Sequence, residues 1–116
     1  MFDVKLKVQM FDGARPGEKI MVLEGVLNAE TASQFHDAAR KGEPPTLVVD
    51  MSRVRYMDSS CLGVLIGAYA SYERNCRRML LAGLNDRVWE VFRICKINDV
   101  FTRYATVADA ERTVPL

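Results

Sequence analysis

The stretch from Leu47 to Leu65 constrains the fold of this chain more than any other. The run Leu47-Val48-Val49 is short, apolar and mostly β-branched, the composition of a strand covered on both faces. Asp50 and Ser52 mark its end. Beyond them, Leu62, Leu65, Ile66 and Tyr69 recur at helical spacing and predict a helix from about Ser60 to Arg74. Asp58, Ser59 and Ser60 therefore stand at a helix N-terminus, where backbone N–H groups lack partners and the dipole favours negative charge. A short polar side chain there caps the helix, and an anion is well placed there. A buried strand that feeds a helix belongs to an alternating α/β sheet.

The flanking segments extend that pattern. Val4, Leu6, Val8 and Met10 alternate with Lys5, Lys7 and Gln9, which predicts a strand with one wet face. Asp12 to Gly17 reads as a turn, and Lys19 to Leu23 as a second strand pairing antiparallel with the first. Gly25 is expected to break it. Asn28 is a good N-cap for a helix from about Ala29 to Lys41, with Glu30 in its first turn and Ala32, Phe35, His36 and Ala39 on its apolar face. Gly42 and Pro44-Pro45 stop that helix. Gly63 and Gly67 predict close packing of the next helix on the sheet. Met79 to Ala82 is a fourth strand, ended by Gly83. Asn85 caps a third helix with Val88, Val91, Phe92 and Cys95 facing inward, and Asn98-Asp99 marks a turn. Arg103 to Ala105 forms a short last strand, and Thr106 with Asp109 opens a final helix carrying Val107, Ala110 and Val114. The expected architecture is a single α/β domain over residues 1–116. It has a mixed sheet of about four to five strands, an N-terminal antiparallel hairpin and about four helices.

Composition narrows the function. With 49% hydrophobic residues in 116, the chain builds a core without metal or disulfide support. A net charge of +1 provides no field for nucleic acid or an anionic membrane, so no direct nucleic-acid contact is expected. Cys61, Cys76 and Cys95 are odd in number and lack Cys-x-x-Cys spacing, which argues against a disulfide framework and a zinc site and points to the cytoplasm. Met1 to Lys5 alternate in polarity, unlike a secretory leader, and no stretch approaches the ~20 apolar residues of a membrane span.

Few residues are placed for chemistry. His36 is the single histidine and lies within an amphipathic helix without a spaced second ligand. Asp50 ends a strand, but an acidic pair after the first strand, needed for a phospho-accepting aspartate, is missing: Met10-Phe11-Asp12 supplies one carboxylate. Cys61 at a helix N-terminus raises the question of a nucleophilic thiol, yet Gly67 stands where a phosphatase loop needs arginine. Arg74, Arg77 and Arg78 suit the negative end of a helix dipole, with a basic patch as the sharper alternative. Ser59 and Ser60 read as capping serines, with Asp58 able to cap the helix or to orient the Ser59 hydroxyl.

The same residues carry a family likeness. A strand ending in Asp50, then the apolar Met57 before Asp58-Ser59-Ser60-Cys61-Leu62-Gly63, resembles the STAS domain, and in particular the stand-alone bacterial anti-sigma factor antagonists. Leu23-Glu24-Gly25-Val26-Leu27-Asn28 and Ile94-Cys95-Lys96-Ile97-Asn98-Asp99-Val100-Phe101 resemble two further segments of that family, in the same order. The resemblance implies a regulatory module that is not an enzyme and uses no cofactor. Its partner would be an anti-sigma factor that is also a serine kinase. That kinase would phosphorylate Ser59, with Ser60 the alternative acceptor, and a metal-dependent serine phosphatase would restore the free serine. The unphosphorylated form would bind the anti-sigma factor through Asn28, Glu30, Tyr56, Met57, Asp58, Ser59, Ser60 and Cys61, with Met57 as an exposed apolar anchor. The same likeness also fits a constitutive subunit of a transport ATPase complex or a stress-signalling scaffold. Dimerisation is left open. Three positions depart from the family pattern: Cys61 and Lys96 stand where glycine is usual, and Asn28 where aspartate is usual.

Overall fold

A computed structural model describes residues 6–114. The elements in chain order are β1 (Lys7–Asp12), β2 (Glu18–Leu27), α1 (Ala32–Arg40), β3 (Thr46–Met57), a 3₁₀ turn (Ser59–Cys61), α2 (Leu62–Arg74), β4 (Arg78–Ala82), α3 (Asp86–Ile94), β5 (Arg103–Tyr104) and α4 (Val107–Glu111). The five strands lie side by side in sequence order. β1 pairs antiparallel with β2, and every later pairing is parallel. This is the expected mixed sheet with an N-terminal hairpin. Val4, expected in the first strand, lies outside the described residues.

Strand alternation sorts the core into two layers. Met21, Leu23, Leu47, Val49 and Met51 face α1, α2 and α3, which contribute Phe35, Leu65 and Phe92. Val48 and Ala82 point the other way and pack against Ala110 of α4. A central strand buried on both sides needs the unbroken apolar run that Leu47–Val49 supplies.

Two strands run further than the sequence suggests. Gly25 does not break β2. It adopts φ +128° and β2 continues to Leu27, while β3 carries one extra residue at each of the two flanking register shifts, so the bulges lie in β3 opposite it. That continuation gives β3 a partner beyond Asp50, and β3 reaches Met57. β4 stops at Ala82, opposite Asp50. Past that point Asn85 takes over part of the missing strand's role by donating its Nδ2 to the Val54 carbonyl at 3.1 Å.

Three helix details also differ. Helix α1 begins at Ala32 with Thr31 as its N-cap, so Glu30 lies in the preceding turn. Gly63 and Gly67 face outward, and a Cβ built on either meets nothing within 4 Å, so neither is needed for packing on the sheet. Cys95 is exposed because α3 has already ended there.

The end of α3 yields a stability prediction. Lys96 has φ +59°, and the Lys96 and Ile97 amides donate to Arg93 O and Phe92 O, each at 3.0 Å. This is the left-handed C-cap that favours glycine. Lys96→Gly is expected to raise the unfolding free energy by about 0.5–1 kcal/mol, seen as a higher urea midpoint with an unchanged slope.

Candidate functional site

Helices α1, α2 and α3 all start at the carboxyl ends of parallel strands, so their N-termini gather at one edge of the sheet. In open α/β sheets this edge carries the site, because the loops there are free to vary while the strands hold them. A short polar side chain holds the turn before α1, the 3₁₀ turn before α2 and the start of α3. Asn28 Oδ1 accepts from the Glu30 and Thr31 amides at 2.9 and 3.1 Å. Asn85 Oδ1 accepts from the Val88 amide at 2.7 Å. Asp58 Oδ1 accepts from the Ser60 amide at 2.9 Å and also from the Ser60 hydroxyl. The Asp58 amide donates to Leu27 O at 3.0 Å, tying the loops before α1 and α2 together.

Asp58 thus caps the turn, and the hydroxyl it holds is that of Ser60, not Ser59. Ser59 is exposed at the outer side of the 3₁₀ turn, and its carbonyl accepts from the Leu62 amide. Its backbone is fixed while its side chain faces solvent. The positive end of α2 lies directly behind it, which suits an added negative charge.

Two expected surface residues lie inside. Met57 is 1% exposed and fills the core between β3 and the helices, so it is not an exposed anchor. Simple alternation would put Val54 and Met57 on opposite faces, but the extra β3 residue at the register shift between Gly25 and Val26 resets it, so both are buried and Tyr56 turns outward at 46% exposure. Cys61 is 4% exposed among Leu23, Leu27, Ala32, Phe35, Met51 and Leu65. Its thiol donates to Asp58 O at 3.3 Å. Burial first, then the nearby Asp58 charge, pushes the thiol up to about 12, which is the reverse of what a nucleophilic cysteine needs. Cys61 therefore occupies the usual glycine position as a small packed side chain.

Asn28 is half-buried, while Glu30, Ser59 and Ser60 are exposed beside Tyr56 on the continuing edge. The sequence reading passes over Thr31, which is fully buried and holds this loop shut. Its hydroxyl donates to Val26 O at 2.8 Å and accepts from the Asn28 amide at 3.0 Å. The Asn28-x-x-Thr31 spacing, three apart, is the signal that could have revealed it.

The other candidates resolve into structural roles. His36 is half-exposed, with Nδ1 3.3 Å from Asp37 Oδ1. Asp50 Oδ1 accepts from the Ser52 amide at 3.0 Å within β3. Arg77 pairs with Glu43 at 2.8 Å and lines one pocket with Arg74, Arg40 and His36, while Arg78 stands apart and reaches Thr113 O at 2.9 Å. Among the described residues, no group of three or more His, Cys, Asp or Glu side chains is placed to hold a metal ion, and no helix is long and apolar enough to cross a membrane.

The family model for the STAS domain matches residues 12–110. The chain belongs to the STAS domain family. An anti-sigma-B factor antagonist of Listeria monocytogenes is 34% identical over 79 residues, covering 66% of this chain and 69% of the relative. The STAS fold seen here matches that of the anti-sigma factor antagonist SpoIIAA in its unphosphorylated form, with TM-score 0.72 and 21% identity over 95% of this chain and 100% of that one. It also matches a Mycobacterium paratuberculosis anti-sigma factor antagonist, with TM-score 0.75 and 20% identity over 93% and 94% of the two chains. These relatives are regulatory proteins by name.

Proposed function

We propose that this STAS domain is an anti-sigma factor antagonist whose grip on its anti-sigma factor is switched off by phosphorylation of Ser59. The observation that carries the proposal is the exposure of Ser59 on a turn already capped by Asp58. A phosphate adds close to two negative charges and three acceptor oxygens. At this position it displaces no packed group, and the N-terminus of α2 offsets its charge. The domain stays folded while the contact surface changes sign and shape, so the effect falls on the partner alone.

The partner surface comprises Asn28, Glu30, Tyr56, Asp58, Ser59 and Ser60. Met57 and Cys61 support it from beneath. The anti-sigma factor acts as the serine kinase, and a metal-dependent serine phosphatase returns the free hydroxyl. Support comes from the relatives' shared description as antagonists and from the geometry of the turn. Release of the anti-sigma factor's hold on a sigma factor is then the output.

The test is capture from source-cell lysate on wild-type, Ser59→Ala and Ser59→Asp baits, read by mass spectrometry. An ATPase-type kinase held by the first two and weakened at least about tenfold on the third is the expected result, because like charge at a contact costs several kcal/mol. Equal retention of one transport or scaffold partner by all three baits would overturn the switch and leave a constitutive subunit.

A further inference from the structure

Away from this edge, a second cluster joins the two ends of the chain. Glu18, at the start of β2, is 2% exposed. Its Oε2 accepts from the Ala14 amide at 2.7 Å. Glu111, the last residue of α4, accepts from the same amide through its own Oε2 at 2.8 Å. One N–H therefore faces two carboxyl groups. Glu18 Oε1 is buried and makes no hydrogen bond among the described residues, and the Glu111 carboxyl is its neighbour in the cluster. The carboxyl lies tight against Gly13, where a Cβ would stand 1.7 Å from Glu18 Oε2.

Two ionised carboxylates this close repel, and burial of one makes the doubly charged state worse. The surroundings supply partial relief, since the Ala14 and Arg15 backbone favours the Glu18 carboxylate, but burial outweighs it. In the hairpin loop, Arg15 acts on Glu111, but its buried Nε has no hydrogen-bond partner. Lys19 and Asp12 are committed to each other, as are Arg112 and Asp109 at 2.6 Å on the side of α4. The β3 residue paired with Glu18 is Thr46, which is uncharged.

We propose that Glu18 and Glu111 share one proton, and that this shared proton latches α4 onto the β1–β2 hairpin so that the helix loosens as pH rises. The proton sits on Glu18, the more buried carboxyl, and is donated to the Glu111 carboxylate. Burial first, then the bond to Glu111, holds the Glu18 carboxyl above its ordinary 4.5. The hydrogen bond from Glu18 first, then the Ala14 amide, holds Glu111 below the same value. The signs follow by linkage. The contribution of Glu18 is complete below 4.5 and is lost as pH rises through its raised value. The contribution of Glu111 is present above 4.5 and is lost as pH falls through its lowered value. The latch is tightest between the two. Once it opens, the face that α4 covers, including Val48, Ala82 and Ile20, meets solvent.

Hydrogen exchange across pH, corrected for intrinsic rates, tests this on the whole protein. The Ala110 and Arg112 amides, bonded to Thr106 O and Ala108 O, report α4. In wild type their opening is expected to grow by up to about tenfold per pH unit between 4.5 and the raised value of Glu18. Amides of α3 should show no such slope. Glu18→Gln keeps a donor towards Glu111 without titrating, and should flatten the slope. An unchanged slope in that variant would overturn the latch. Carboxyl carbon NMR of the wild type needs no variant: one glutamate titrating above and one below the ordinary value is expected, and two ordinary titrations would overturn the shared proton. Protection of α4 that follows added calcium and not pH would also overturn it, because the pair would then hold a cation.

Discussion

Met57→Ala is expected to lower the unfolding free energy by about 2–5 kcal/mol, while its neighbour Tyr56→Ala is expected to change it by no more than about 0.5 kcal/mol. The two residues adjoin in sequence but lie on opposite sides of β3. Met57 is 1% exposed within the core that also holds Val54, Leu62 and Leu65, so truncation leaves a cavity that a close-packed interior fills only in part. Tyr56 is 46% exposed and gives up little packing. The effects on partner binding run the other way. Tyr56→Ala is expected to weaken the anti-sigma factor contact by more than about 1 kcal/mol, because exposed tyrosines beside a contact site are common anchors. Met57→Ala should leave the affinity of the folded fraction near wild type. Urea unfolding and titration calorimetry on both variants separate the two roles. Loss of affinity in Met57→Ala without loss of stability would restore Met57 as an anchor.

Phe92→Ala should cost about 3–5 kcal/mol, the other large stability effect in this domain. Phe92 is fully buried on α3. Its ring stacks on Trp89 at 5.1 Å and meets Phe101 edge-on at 5.5 Å, and Phe101 in turn meets Tyr69 at 4.8 Å. This chain of rings joins α3, the segment before β5 and α2, so one truncation loosens three elements. Aromatic pairs in these geometries contribute beyond their buried area. Against a typical total stability of roughly 5–15 kcal/mol, the variant should populate unfolded protein visibly at 37 °C, or about body temperature. A urea midpoint shifted by less than a quarter of the wild-type value would show that the rings repack. Because Phe92 is fully buried and is not part of the proposed partner surface, partner affinity of the folded fraction should not change.

Much of the fold is legible in the residue pattern because periodicity is a local property. Leu47–Val49, the helical spacing after Ser60 and the caps at Asn85 and Thr106 each set a structure within a few residues, and each stands as expected. Asp58-Ser59-Ser60 marks the candidate edge for the same reason: a helix start must satisfy its orphan amides locally.

What the sequence left open depends on partners remote in the chain. Gly25 looks like a strand breaker, but it stays paired with Val54 and it is β3 that bulges around it. Asp50 and Ser52 look like a strand end, yet pairing with the continued β2 carries β3 to Met57. Those additional residues decide which side Met57 faces, and so which residue at the site is surface and which is core. Cys61 could be packed or reactive until its neighbours from β2, α1 and β3 are placed around it. The Glu18–Glu111 pair joins residues far apart in sequence, with no spacing to announce it. The sequence by itself determined the elements, their order and the capped turn at Ser59, because these follow from side-chain period and orphan amides. Only the tertiary structure decided strand length, burial at the site and the shared carboxyl pair, because each is set by what another part of the chain brings within reach.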